Sequence, residues 1–297
     1  MGTDRGRLVC DAVMRARLFG NTSRDVPVIG QGTWNFPTRG ARVEEAKAAL
    51  RAGIEAGMIH IDTAEMYGDG RSEEIVGEAI ADLPRERLFI VSKVLPSNAR
   101  YAAVLRACEA SLRRMRTEYL DCYLLHWRGN APLSETMQAL EKLIDDGKIR
   151  SLGVSNFDID DIDEARAALT KHRIACNQVL YHLGERGIER KLLPYCDRNG
   201  IAVVGYSPLG SGAFPSEKSK RGRVLAEIAE RRGLRCAQVA LAFLVRLEGT
   251  FVIPKAANAE HARENAAAGG IVLSDEEIAE IERAFPTPKE EKPLAVL

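Results

Sequence analysis

The side chains best suited to chemistry in this sequence are an aspartate, a tyrosine, a lysine and a histidine at the ends of short apolar runs. Asp62 and Tyr67 share the segment Ile61-Asp62-Thr63-Ala64-Glu65-Met66-Tyr67-Gly68, Lys93 ends Ile90-Val91-Ser92-Lys93, and His126 ends Tyr123-Leu124-Leu125-His126. Converging on one site, these four suit proton transfer to a carbonyl oxygen. A tyrosine hydroxyl has a proton to give, but its ordinary pKa of about 10 is high for turnover near neutrality. A lysine ammonium beside it favours tyrosinate and is expected to lower that value by roughly 1 to 3 pH units. Asp62 then keeps the lysine charged and oriented, and His126 hydrogen-bonds the substrate oxygen as negative charge develops there. Farther along, Ser155, Asn156 and Gln178 offer the hydroxyl and amide groups that a carboxamide needs, and Tyr206 offers a face for a flat ring.

These residues need a frame, and the sequence repeats one. Eight times a short apolar run, rich in β-branched residues, is followed by helical spacing and then by Gly, Pro or Asn. The runs are Pro27 to Trp34, Ile59 to Thr63, Leu88 to Val94, Leu120 to His126, Ser151 to Ser155, Cys176 to Leu180, Ile201 to Tyr206 and Phe251 to Ile253. Helical spacing is clear in Val43, Ala46, Leu50 and Ile54, and in Val104, Leu105, Cys108, Leu112 and Met115. Nearly continuous apolar strands separated by helices predict a parallel sheet covered on its faces. Eight rounds in a chain of 297 residues predict a (β/α)8 TIM barrel in a single domain, with an extension over 1–25, expected to include a hairpin at the barrel bottom, and a tail over 286–297. An open doubly wound sheet is the alternative. It wants a third glycine after its first strand, which Gly30-Gln31-Gly32-Thr33-Trp34-Asn35 lacks. In a barrel, function collects at the C-terminal strand ends, where the residues singled out above fall except Gln178, which lies on the sixth run.

Composition narrows the classes further. Hydrophobic residues make up 45% and charged residues 28%, with 42 Lys plus Arg against 42 Asp plus Glu, which excludes a disordered chain. Zero formal net charge gives no global electrostatic reason to expect nucleic acid or an anionic membrane as partner. The first ten residues hold no apolar signal-peptide core and no stretch is long enough to span a membrane, so the expectation is a cytoplasmic protein. Six cysteines without a CxxC pair argue against zinc and against a disulfide framework. The charged stretch Glu217 to Arg223 reads as a solvated loop able to fold over a ligand, with Arg221 or Arg223 near phosphate. Taken singly, an Asp, Lys or His at a strand end is more often a salt bridge or cap than catalytic. His60 reads as structural, and Trp127 is evenly balanced between packing and function. A metal-dependent hydrolase, with His60, Asp62, His126 and His182 as ligands and Lys93 bridging, stays open as a rival, although it leaves Tyr67, Gln178, Tyr206 and Lys255 unexplained.

From about Pro27 onward the chain resembles the aldo-keto reductases, whose motifs it matches in identity, order and strand position. That resemblance implies a barrel binding an extended nicotinamide cofactor without a Rossmann domain, and reversible reduction of aldehydes and ketones. It implies that Tyr67 is the general acid, that Lys93 and Asp62 tune it, and that His126 orients the carbonyl. It further implies that Ser155, Asn156 and Gln178 hold the carboxamide, that Tyr206 stacks on the nicotinamide, and that Ser207, Leu209 and Ser211 lie over the pyrophosphate. At the adenosine end Lys255 is kept, but Ala256 stands where family members carry Ser and His261 where they carry Arg, while Glu264 and Asn265 match adenine contacts. The expectation is NADPH, with NADH tolerated. Trp34, Met66 and Trp127 are expected to wall the substrate pocket, and the tail resembles bacterial members similar to methylglyoxal reductases, which makes methylglyoxal the first substrate expected. A monomer is expected, and a cofactor-binding redox sensor without turnover is the second rival.

Overall fold

The computed structural model describes residues 13–290 and 292–297, and in it each apolar run pairs with the next in chain order. Ala16–Leu18 (β1) and Asp25–Pro27 (β2) form an antiparallel hairpin. Eight parallel strands follow: Gln31–Gly32 (β3), His60–Asp62 (β4), Phe89–Val94 (β5), Cys122–Leu125 (β6), Leu152–Ser155 (β7), Ile174–Leu180 (β8), Ala202–Tyr206 (β9) and Thr250–Val252 (β10). Val252 meets Ile29 in a parallel bridge, and its carbonyl accepts the Gly30 N–H at 2.8 Å, so the last strand returns to the first and the sheet closes. Helices cover the outside: Arg42–Glu55 (α1), Arg71–Ile80 (α2), Tyr101–Met115 (α3), Leu133–Asp145 (α4), Ile159–Ala168 (α5), Leu192–Arg198 (α6), Lys220–Arg232 (α7), Cys236–Leu244 (α8), Ala259–Ala268 (α9) and Asp275–Ala284 (α10). This is the (β/α)8 barrel that the repeats predicted.

Local chemistry sets several helix starts. Asp158, Ser219, Asn258 and Ser274 each accept a backbone N–H from the first turn of α5, α7, α9 and α10, and Ser274 with Glu277 forms a reciprocal capping box. The Ser219 cap explains a departure from the sequence reading. Much of the charged stretch from Glu217 to Arg223 is helix, and the Arg221 guanidinium lies 5.9 Å from the ring centre of the chain's own Phe285. The run from Pro27 to Trp34 also differs, since it divides between two ladders. Val28 donates its N–H to Arg15 of the hairpin side and accepts from Val252 of the barrel, both at 3.0 Å, so the chain changes partners there.

Strand alternation decides what faces the barrel interior. Phe89 and Val91 precede Lys93, Cys122 and Leu124 precede His126, Cys176 precedes Gln178, and Ala202 and Val204 precede Tyr206. Each column is apolar below and polar at its upper, C-terminal end. Gly153 is required in one of them, because a Cβ there would lie 2.4 Å from Leu124 Cδ2 and 2.8 Å from Cys176 Sγ. The hairpin expected at the bottom is present, and its Phe19 plugs that end with ring centres 4.7 Å from Phe89 and 5.2 Å from Phe251. Met115 and Cys108, read as core, are buried on α3.

Candidate active site

At the upper end of the barrel a cleft of about 450 Å³ opens between the strand ends. Asp62 ends β4 with no solvent exposure to speak of, and both its oxygens are taken: Lys93 Nζ donates to Oδ1 at 2.5 Å and Gln178 Nε2 to Oδ2 at 2.7 Å. The Lys93 ammonium, fully buried on β5, has three protons and three acceptors. Besides Asp62 these are the Thr63 carbonyl at 2.8 Å and the Tyr67 hydroxyl at 3.2 Å. Burial works against the ammonium, but the carboxylate and the tyrosine oxygen outweigh it and hold the Lys93 pKa above its ordinary value. For Asp62, burial pushes the carboxyl above its ordinary value, and Lys93 and Gln178 offset only part of that rise.

Tyr67 departs from the expected direction. Burial raises its pKa and the Asp62 charge adds to that, together exceeding the attraction of Lys93, so the hydroxyl keeps its proton at neutral pH. His126 packs edge-on to the Tyr67 ring, with centroids 5.7 Å apart. Burial, helped by Lys93, drives its pKa down to about 3, so the imidazole is neutral. Its Nδ1 is buried without a partner. Leaving a lone pair bare costs less than leaving an N–H bare, so the favoured tautomer carries the proton on Nε2.

The opposite wall is built around Asn156, which follows β7. Its backbone is left-handed (φ 59°), its Nδ2 donates to the His126 carbonyl at 3.2 Å, and its Oδ1 accepts the Tyr206 hydroxyl at 2.9 Å. The Gln178 carbonyl accepts from both the Asn156 N–H at 2.8 Å and the Ser155 hydroxyl at 2.9 Å. Asn35, Ser207 and Ser211 are also left-handed and also line the cleft. Such conformations cost energy and persist where the surroundings over-determine them, which is common at functional sites.

Of the residues singled out from sequence, the cleft brings together Asp62, Tyr67, His126, Ser155, Asn156, Gln178, Tyr206, Ser207, Leu209, Ser211, Lys255, Trp34, Met66 and Trp127. Lys93 lies beneath them. His261, Glu264 and Asn265 are on α9, outside the cleft wall: His261 is exposed in the first turn, Glu264 pairs with Arg235 at 3.1 Å, and Asn265 is buried. The metal set is not assembled. Among the described residues no three His, Cys, Asp or Glu side chains converge, and His60 lies at the opposite end of β4 between Phe19 and Phe89. Gly32, Asn35, Pro208, Gly212, Ile253, Pro254 and Leu297, which sequence reasoning did not assign to the site, also line the cleft. Ile253 shares the inward parity of Phe251 and was findable, whereas no spacing argument reaches Leu297. Asn35 is further tied in by its carbonyl, which accepts from Lys255 Nζ at 3.3 Å.

Known proteins resemble this chain. Residues 28–285 match the Aldo/keto reductase family. Methylglyoxal reductase YeaE of Escherichia coli (strain K12) is 47% identical over 264 residues, covering 89% of this chain and 93% of that protein. Glyoxal reductase of Bacillus subtilis (strain 168) is 36% identical over 275 residues, covering 90% and 94%. A crystal structure of an aldo-keto reductase from Klebsiella pneumoniae in complex with NADPH superimposes with a TM-score of 0.89 at 47% identity, covering 96% of this chain and all (100%) of that one. With the barrel, the tetrad of Asp62, Tyr67, Lys93 and His126 and these likenesses in hand, the chain belongs to the aldo/keto reductase family.

Proposed function

We propose that the protein is an NADPH-dependent reductase of small aldehydes and ketones, methylglyoxal first among them, with Tyr67 as proton donor. The observation that carries this reading is the Lys93 ammonium, which holds Asp62, the Thr63 carbonyl and the Tyr67 hydroxyl at once. The relatives named above act on, or bind, these compounds by their own names.

The cleft suits a nicotinamide. Gln178, Asn156 and Ser155 put amide and hydroxyl groups on one wall, and Tyr206, pinned through its hydroxyl to Asn156, places an aromatic ring beside them. In this reading those residues hold the carboxamide and ring, and Ser207, Leu209 and Ser211 hold the pyrophosphate. Lys255 and the exposed start of α9 with His261 hold the adenosine phosphate, and Glu264 and Asn265 contact adenine. NADPH bound there supplies the hydride.

The protein's part is placement and proton delivery. A substrate carbonyl oxygen within reach of Tyr67 and His126 accepts a hydrogen bond from the neutral imidazole and takes its proton from the Tyr67 hydroxyl. The tyrosinate left behind is stabilised at once by Lys93, whose second partner, Asp62, keeps the ammonium in place. Trp34, Met66 and Trp127 present half-exposed apolar surface to the same cleft, which suits small substrates with some apolar area. NADPH is favoured by Lys255, while Ala256 and His261 in place of a hydroxyl and a fixed cation leave NADH usable. We further place the protein in the cytoplasm as a single-domain monomer, since a barrel of this size buries its own core.

The test follows NADPH absorbance during incubation with methylglyoxal and a panel of aldehydes, in the wild type and Tyr67→Phe. Turnover in the wild type, lost in the variant with NADPH binding intact, is the expected outcome. A wild type that binds NADPH and reduces nothing favours the redox-sensor reading instead.

A further inference from the structure

Gln178 belongs to the wall of the cleft, yet its strongest described side-chain contact points the other way. Its Nε2 lies 2.7 Å from Asp62 Oδ2, in a pair of residues that are both almost wholly buried. An ionised carboxylate only accepts, so the amide must turn its N–H to Asp62. Lys93 holds the other oxygen at 2.5 Å. The carboxylate is thus fixed in rotation by two donors arriving from β5 and β8, which are not neighbours in the sheet.

We propose that Gln178 is a positioning residue for the proton donor: by clamping Asp62 Oδ2 it sets the carboxylate so that Lys93 reaches the Tyr67 hydroxyl. The proposal rests on the reading of Tyr67 as the acid. The same residue, through its main-chain carbonyl, accepts from the Asn156 N–H and the Ser155 hydroxyl. Its Nε2 therefore serves the acid while its backbone carbonyl braces the wall assigned to the nicotinamide, and the two halves of the site share one residue. The titratable groups facing this cluster are Lys93 from β5, Tyr67 from the loop after β4, His126 beyond β6, Cys176 on β8, which also feels the Asp62 charge, and His60 at the other end of β4, which feels the Lys93 charge.

Two substitutions with opposite signatures test it. Gln178→Met keeps the length of the side chain and removes the donor. Asp62 then takes a proton more readily, so kcat at saturating NADPH falls by about tenfold or more and the acid limb of its pH profile moves to higher pH. Gln178→Glu restores a donor only while the new carboxyl is protonated, so its kcat falls as pH rises. Melting curves establish that both variants fold, and the NADPH dissociation constant, read from fluorescence quenching without substrate, separates binding from catalysis. Wild-type kcat and pH profile in both variants, with only NADPH affinity reduced, overturn the proposal and leave Gln178 a ligand contact. A readout independent of turnover is the tyrosinate absorbance of Tyr67, isolated as the difference from Tyr67→Phe. Its midpoint moves in Gln178→Met if Gln178 sets the cluster and stays put if it does not. Absence of any NADPH-dependent turnover in the wild type overturns the reductase reading instead, and the tyrosinate titration still decides the role of Gln178.

Discussion

His60 and Asp62 stand at the two ends of the three-residue strand β4, face the same barrel interior and are equally buried, yet they meet burial in opposite ways. His60 makes no hydrogen bond through either ring nitrogen. It stands edge-on to Phe19 and Phe89, at 5.8 and 5.4 Å, and burial holds its pKa down to about 3. Asp62 has a donor on each oxygen and an ammonium at 2.5 Å. The lower end of the barrel solves desolvation by discarding charge and the upper end by satisfying it. Below, burial pushes Cys176, whose sulfur lies 3.9 Å from that of Cys122, toward the neutral thiol. Above, the polar network is completed with left-handed backbone at Asn156. Stability is concentrated at one end and chemistry at the other, as barrel enzymes in general arrange it.

The sharpest way to break this contrast is Tyr67→Phe. It removes the proposed proton donor and the hydrogen bond that the Tyr67 hydroxyl accepts from Lys93, so kcat falls by about 10²- to 10⁴-fold while the folded state loses only about 1 kcal/mol. Steady-state kinetics alongside thermal melts read the two effects apart, and a large loss of stability with activity spared contradicts the assignment.

Removing a charge at the upper end has the reverse balance. Lys93→Met strands the Asp62 carboxylate in the interior and is expected to cost about 3 to 5 kcal/mol, besides abolishing turnover. Adding Asp62→Asn restores most of the stability and none of the activity. Denaturant titrations of the single and double variants check this, and additive losses would mean that the pair is not coupled.

At the lower end a substitution ought to alter stability alone. The folded-state pKa of His60, about 3, lies below the unfolded value of about 6.5, so the unfolded chain takes up the proton first. Stability from this residue is therefore whole above pH 6.5 and is lost as pH falls towards 3, about 2 kcal/mol of it by pH 5. His126 acts in the same direction, so the pH dependence is reduced rather than removed in His60→Leu. The variant keeps its turnover and unfolds in acid less readily than the wild type. Identical slopes of stability against pH in the two proteins would show that His60 is not discharged in the fold.

How much of this the sequence carried follows the same division. The inward columns and their polar ends are legible because strand parity is strict: once Phe89 and Val91 face in, so does Lys93. The tetrad followed from residue types at those ends. What escaped was set by contacts with no local signature. Charge partners alone suggested a lowered Tyr67 pKa, but the opposing burial depends on how loops from distant strands close over the hydroxyl. The second donor to Asp62 comes from Gln178, 116 positions away, and no pattern along the chain announces it. Leu297 reaches the cleft by the path of the tail, which no periodicity governs.

The outer rim is a third kind of environment, and there the contrast predicts the smallest effect. Ala256 and His261 flank the start of α9, where the Asn258 side chain already caps the helix by accepting the His261 N–H at 2.9 Å. Neither side chain belongs to the cleft network. Changing both, as Ala256→Ser with His261→Arg, supplies the hydroxyl and fixed cation that family members carry, and leaves the cap, which uses only the backbone of residue 261. The exposed setting limits the gain to about 1 kcal/mol, or about fivefold in the ratio of NADPH to NADH affinity. Competitive titrations of the two cofactors at several salt concentrations measure it, the gain shrinking with salt because the charge is exposed. Melting temperatures stay where they were. A change of a hundredfold or a loss of stability would mean that the rim is built as tightly as the tetrad beneath it, and the division between a fixed centre and an adjustable edge would not hold.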